Sequence, residues 1–191
     1  MLFHLPFGFD ISIKIKKNIK KIRIDDRIID LFVNEIFKQC CFAEFAIEDY
    51  KKALNNGDYY RLWYSIQALL ISTANISKII WGRSRDCCDR KKKLAGKLNI
   101  DFCSSLKSRK FRNHFEHFDE RLEEWAKTSR RQNYVDWITS PRSGITGLDL
   151  SDCFRWYISN ENKIRFRGEE YDLTGVEQSI IELKNIIGGL K

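Results

Sequence analysis

Two of the chain's three histidines fall in one stretch, Phe111-Arg112-Asn113-His114-Phe115-Glu116-His117-Phe118. Lys107, Arg109 and Lys110 crowd its upstream side. These residue types suit acid–base chemistry beside a phosphate. An imidazole titrates near neutrality, so His117 can move a proton as general base or general acid. A guanidinium stays charged and presents a planar fork of donors, so Arg112 can clamp phosphoryl oxygens and stabilise charge that develops on them. Asn113 can orient the imidazole or the phosphate. His114 and Glu116 flank the site as supporting groups. Arg121, one turn beyond His117, would disfavour a charged imidazole and so favour a base.

The element that must carry these residues reads as a helix over about 102–129, with Asp101 as its cap. Phe111, Phe115, Phe118, Leu122 and Trp125 recur at steps of four and three, the spacing of one helical face. At about 100° per residue, Asn113 and His117 are neighbours about 40° apart. Arg112 lies about 140° from His117 and about 7.5 Å along the axis, so the two do not meet on a regular helix. A bend near Arg112, or a second copy of the helix, has to complete the site. The plainer reading is an Arg112–Glu116 surface ion pair worth about 0.3–0.5 kcal/mol, with His117 at the edge of a bundle.

Arg-Asn-x-x-x-His on a helix, within an apolar helical domain, resembles the signature of the HEPN superfamily. Arg112, Asn113 and His117 match it position by position. The resemblance implies a small four-helix bundle, often dimeric. It also implies, as in many members, a metal-independent endoribonuclease of toxin–antitoxin, phage-defence or CRISPR-associated systems. One branch carries a tyrosine two residues after the histidine; here that position is Asp119, so regulation through that tyrosine is not supported.

RNA supplies its own nucleophile, the 2′-hydroxyl. The expected reaction is attack of that hydroxyl on the adjacent phosphate, leaving a 2′,3′-cyclic phosphate and a 5′-hydroxyl, with neither metal nor cofactor. His117 would transfer protons, Arg112 clamp the scissile phosphate and Asn113 orient one or the other. The expected partners are RNA, a second copy in a homodimer, and an antitoxin or regulatory protein. One alternative is a non-catalytic HEPN-like module that binds RNA, a nucleotide or a protein partner. Another is a helical scaffold whose basic charge is incidental.

The chain has 191 residues and a formal net charge of +8. That length supports one domain, or one with an appendage, and a sizeable core. The basic balance suggests an anionic partner, nucleic acid first. Of the six cysteines, Cys40-Cys41 and Cys87-Cys88 are adjacent pairs, Cys103 and Cys153 stand apart, and no CxxC occurs. Structural zinc sites usually need ligand pairs two to four residues apart, so no metal site is expected. Cys87-Cys88, close to Arg and Lys, read either as reactive thiols or as ordinary thiols of a reducing cytosol. The N-terminal residues lack a basic leader region, and no apolar run approaches the ~20 residues of a membrane span, so the expected location is cytoplasmic.

The expected architecture is mainly α. It is a four-helix up-and-down bundle of HEPN type, with a β-hairpin between the third and fourth long helices and an extended N-terminal segment. Residues 1–26 form a basic arm or strand, with Lys14, Lys16, Lys17, Lys20, Lys21 and Arg23 as a phosphate-binding stripe or a solvated arm. The helical domain covers 27–191. Its first helix spans 27–54, with apolar residues stepping by three or four, and Asn56-Gly57 stops it. Asp58 caps a second helix running to about Trp81. Tyr59, Tyr60 and Trp63, in its first turns, either stack on bases or pack in the bundle. Residues 82–93 form a basic connector, before a helical turn around Leu94–Leu98. Its Arg90, Lys91, Lys92 and Lys93, with Lys107, Arg109 and Lys110, are the candidate RNA-binding residues.

Residues 133–150 carry loop chemistry. A hairpin over about 152–168 should have one apolar face (Phe154, Trp156, Ile158, Ile164, Phe166) and one basic face, with Asn160-Glu161-Asn162 as its turn. Asp172 or Thr174 caps a last helix over about 174–187.

Overall fold

The computed structural model describes residues 24–82, 88–100 and 104–190. The N-terminal arm expected before Ile24, the Arg83–Cys87 part of the basic connector, the Asp101 cap and Cys103 lie outside the described residues.

Two long helices form the frame. In α1 (Asp26–Asn55) the Asp25 carboxylate accepts from the Ile28 N–H at 2.9 Å and satisfies the first turn. Gly57, at φ +67°, lets the chain turn tightly enough to start α2 (Tyr59–Trp81). Asp58 caps α2 by accepting from the Arg61 N–H at 3.0 Å. The helices run back along each other, tied near their connection by Arg61–Asp49 (2.7 Å) and farther along by Asn75–Gln39 (3.3 Å). Their shared seam buries Ile36, Cys40, Ala43, Leu62, Ile66 and Leu69 completely.

Further helices pack on this pair. α3 (Cys88–Leu98) starts inside the segment expected to be a connector and buries Leu94 and Leu98. Its lysines reach back to α1, Lys93 to Asp26 at 3.0 Å and Lys97 to Asp30. The last helix, numbered α7 in chain order (Leu173–Gly188), is capped by Asp172, which accepts from the Thr174 N–H at 2.9 Å. It lies along α1, held by Lys51–Glu177 at 2.5 Å and Lys184–Glu44.

The expected single helix over 102–129 is instead three pieces. They are α4 (Ser104–Lys107), α5 (Lys110–Glu116) and α6 (Phe118–Thr128). The second break falls on His117, whose φ −104° and ψ 43° leave the helical region. The aromatic residues explain it. Phe115 docks on Phe166 at 5.5 Å between ring centres, while Phe118 docks on Phe154 at 5.2 Å. Phe166 lies in the strand Lys163–Phe166 and Phe154 just before the strand Arg155–Ile158, and the break lets both rings seat.

A four-stranded sheet covers these pieces, in the order β1 (Ile138–Ser140), β2 (Arg155–Ile158), β3 (Lys163–Phe166), β4 (Glu169–Asp172). The β2–β3 hairpin is present, and Glu161 N–H donates to Ile158 O at 3.1 Å in its turn. β1 joins β2 in parallel, inside the region expected to be irregular; it has only three residues and no alternating pattern to betray it. β4 pairs antiparallel with β3 through a tight turn whose central residues, Arg167 (φ 49°) and Gly168 (φ 88°), both have positive φ.

The expected faces of the hairpin do not survive. Arg155 pairs with Phe166 and Tyr157 with Ile164, so these four side chains share the face toward the helices. Trp156 and Ile158 turn the other way, into a small cluster with Cys153, Ile138, Ile145 and Leu148. β2 is thus buried on both faces. Its central position makes alternation a poor guide to which side is the core.

A polar knot links three elements at the hairpin turn. Tyr50 of α1 donates to Glu177 of α7, Asn162 donates to Glu177 at 2.8 Å, and Tyr157 donates to Asn162 at 2.9 Å. Burial, reinforced by the neighbouring Glu177, pushes the Tyr157 hydroxyl up to about 12.

The mainly helical expectation matches the molecule, with the small sheet packed on the helices.

Candidate functional site

The candidate site lies on α5 and at its break. Arg112 is largely buried by its neighbours, with 17% of its side chain exposed. Its guanidinium pairs with Glu116, one turn on, and donates from Nη1 to Asn113 Oδ1 at 3.1 Å. Asn113 therefore orients Arg112, while its backbone carbonyl accepts the His117 N–H at 3.0 Å.

His117 leads out of the helix and its side chain is half exposed. Its Nδ1 lies 3.4 Å from Glu120 Oε1. The carboxylate side of His117 is thus Glu120, a residue the spacing argument passed over. Arg121, expected to act on the imidazole, donates from Nη1 to Glu124 at 2.9 Å. A carboxylate beside Nδ1 favours a proton on that nitrogen and leaves Nε2 for proton transfer.

His114 is not brought to this site. It is buried, stacked on Phe166 at 4.9 Å with 10° between planes, and its Nε2 meets Glu169 of β4 at 3.1 Å. Lys110 joins the same carboxylate at 2.8 Å. Burial alone would raise the Glu169 carboxyl, but hydrogen bonds from Lys110 and His114 outweigh it and hold the group below its ordinary value. His114 and Lys110 thus staple α5 to the sheet, and Glu116 is the partner of Arg112.

The other cations divide similarly. Arg90 covers the Phe32 ring at 4.9 Å and donates to Lys78 O at 3.3 Å, and Lys93 holds Asp26. Lys91 and Lys92 of α3, and Lys107 and Arg109 before α5, have no side-chain partner among the described residues. Ser77 of α2 donates to Lys107 O at 2.8 Å, so both basic segments meet the C-terminal end of α2. That end is about 10 Å along the axis from Ile71, the α2 residue beside Arg112.

Of the three aromatics at the start of α2, Trp63 is buried and packs near Phe115 at 6.5 Å. Tyr59 and Tyr60 are exposed, and Tyr60 rests edge-on against Trp137 at 4.8 Å.

Sequence reasoning missed the group behind the break. Arg155, which alternation places on the hairpin's basic face, is buried in a box of four rings. Its guanidinium carbon lies 4.9 Å from the centre of Phe118, 5.4 Å from Trp137, 5.7 Å from Trp63 and 5.8 Å from Phe115. Asp136 closes the box with a bidentate pair at 2.8 and 2.5 Å. Tyr134 donates to the same carboxylate at 2.9 Å, and burial, helped by that hydrogen bond, pushes its hydroxyl up to about 12. The sequence signal was faint: an arginine between Phe154 and Trp156 in an otherwise apolar strand.

Among the described residues, no group of three His, Cys, Asp or Glu side chains could hold a metal ion, and no helix is long and apolar enough to cross a membrane. Scans against protein-family models, curated proteins and solved structures found no match to this chain.

Proposed function

We propose that this protein is a metal-independent endoribonuclease of HEPN type, working as a homodimer and serving as a toxin or phage-defence effector. The observation that carries the reading is the helix break at His117. It leaves an exposed imidazole with Glu120 at one nitrogen, at the end of a short helix that also bears Arg112 and Asn113.

His117 Nε2 takes the proton of the 2′-hydroxyl, whose oxygen then attacks the adjacent phosphorus. Arg112, steadied by Asn113, holds the phosphoryl oxygens and stabilises the charge gathering on them. The bond from phosphorus to the 5′-oxygen breaks, and that oxygen takes a proton. The products are a 2′,3′-cyclic phosphate and a 5′-hydroxyl. Arg112 and His117 engage different partners within one chain, which is why a second motif helix across a two-fold axis belongs to the reading. Leu31, Phe42 and Phe45 of α1 and Tyr60 of α2, all exposed, support an apolar face for that second copy.

A second reading, a non-catalytic RNA-binding module, draws on one observation. Glu116 already occupies the guanidinium that a phosphate would need. The test is incubation of purified protein with mixed-sequence RNA, with and without EDTA, beside His117→Ala. Cleavage that survives EDTA and disappears in the variant, with an unchanged far-UV circular dichroism spectrum, supports the enzyme. Salt-sensitive binding with no product supports the module, and full activity in His117→Ala overturns the mechanism.

A further inference from the structure

Between α2 and α5 runs a cleft of about 120 Å³, lined by Gln67, Leu70 and Ile71 on one side and Arg112, Phe115 and Glu116 on the other. Its wall is apolar: Leu70 is buried, Phe115 is packed on the core, and Ile71 stands half exposed at the rim. Its edge is polar. The Gln67 amide makes no hydrogen bond among the described residues, while the Arg112 guanidinium and the Glu116 carboxylate lie across from it. An amide offers both donors and an acceptor, a guanidinium only donors and a carboxylate only acceptors. An apolar slot with such an edge suits a flat, hydrogen-bonding heterocycle. Its size is close to the ~150 Å³ cavity that takes one benzene ring, so the slot accommodates a single ring and crowds a fused pair.

We infer that this cleft is a nucleobase subsite selective for a pyrimidine, with Gln67 reading the base edge. The placement argues for RNA as the source of the base. Arg112 is both a wall of the cleft and the arginine assigned to the scissile phosphate, so a base seated there belongs to a nucleotide at that phosphate. Lys107 and Arg109, with no side-chain partner among the described residues, precede α5 and match the charge of the sugar–phosphate chain. The inference deepens the proposed function and rests on it for the position of the phosphate.

The test has two arms on the full chain. In the first, wild type, Gln67→Ala and Ile71→Trp are incubated with mixed-sequence RNA, and the new 5′-hydroxyl ends are mapped. Wild type should cut beside pyrimidines. Gln67→Ala should lower the pyrimidine-to-purine ratio about fivefold, the effect of one lost hydrogen bond, while still cutting. Ile71→Trp, at an exposed rim position that a larger side chain can occupy without entering the core, should plug the slot and lower the ratio as well.

In the second arm, fluorescence anisotropy compares labelled oligo-U and oligo-A binding to the same proteins in the His117→Ala background. A preference for oligo-U that Gln67→Ala abolishes supports the subsite even if no protein cleaves, in which case the endoribonuclease reading alone fails. Cleavage without base preference, or a preference unmoved by both variants, overturns the subsite and leaves the nuclease standing. A change in oligomeric mass with unaltered base preference assigns the cleft to the second copy and likewise overturns it.

Discussion

The guanidinium of Arg155 sits 4.9 Å from the centre of the Phe118 ring, and Phe118 is the first residue after the break at His117. A strand residue thus grips the helix where the candidate catalytic imidazole leaves it. Cation–π contacts of this kind gain strength when both partners are desolvated, and the Asp136 pair keeps the buried charge compensated. Removing Arg155 would strand Asp136 and empty the ring box. Arg155→Ala should therefore cost about 3–5 kcal/mol in urea unfolding. Arg155→Lys, which keeps the charge but not the planar fork, should cost less. A loss within experimental error for Arg155→Ala would show that the box does not hold this end of the fold.

Glu177 makes the fold acid-sensitive at a definite place. Burial alone would raise its carboxyl, but hydrogen bonds from Lys51, Tyr50 and Asn162 hold it below the reference value of 4.5. Because the folded value is the lower one, its contribution is complete above the unfolded value and fades as pH falls through 4.5 toward the folded one. Urea midpoints from pH 7 down to pH 3 should fall in the wild type. Glu177→Gln should start lower and show a shallower decline. Parallel curves would remove Glu177 from the acid response.

Cysteine reactivity should follow burial. Burial pushes the Cys153 thiol up to about 11, leaving roughly one thiolate in a thousand at pH 8. Iodoacetamide on the native protein should modify exposed Cys88 and spare Cys153 until urea unfolds the chain. Mass spectrometry of the tryptic peptide 143–155 reads the outcome, and early labelling there would contradict the packing of β2.

The proposed homodimer offers a further prediction. Phe45 is 63% exposed on α1, and Phe42 lies one turn earlier on the same face. Light scattering of Phe45→Glu should report a monomer, or a dimer dissociating at concentrations where wild type holds together, with thermal stability nearly unchanged. A wild type that is monomeric at all concentrations would remove this face from the proposal.

Much of the frame is legible in the sequence because its signals are local. Asp58 before an apolar period, Asn56-Gly57 between two such periods, and Asp172 ahead of Val176 and Ile180 each act within a few residues, and α1, α2 and α7 fall within a residue or two of their expected bounds. The turn at Asn160-Glu161-Asn162 is local too. What stayed hidden depends on partners far along the chain. An apolar period from Phe111 to Trp125 fits one straight helix, and nothing within it announces a break. The break appears because Phe115 and Phe118 dock on Phe166 and Phe154, 51 and 36 positions later.

The candidate site divides along the same line. Residue types and spacing alone identify Arg112, Asn113 and His117 and the chemistry they suit. Tertiary structure decides which neighbour each one meets: Glu116 and the α2 cleft for Arg112, Glu120 for His117, and Glu169 of β4 for His114. Helical periodicity specifies a direction from the axis, but it does not specify what stands there. Burial on β2 then turns a chain read as basic-faced inward, where only ion pairing with Asp136 and four aromatic rings make a buried Arg155 affordable.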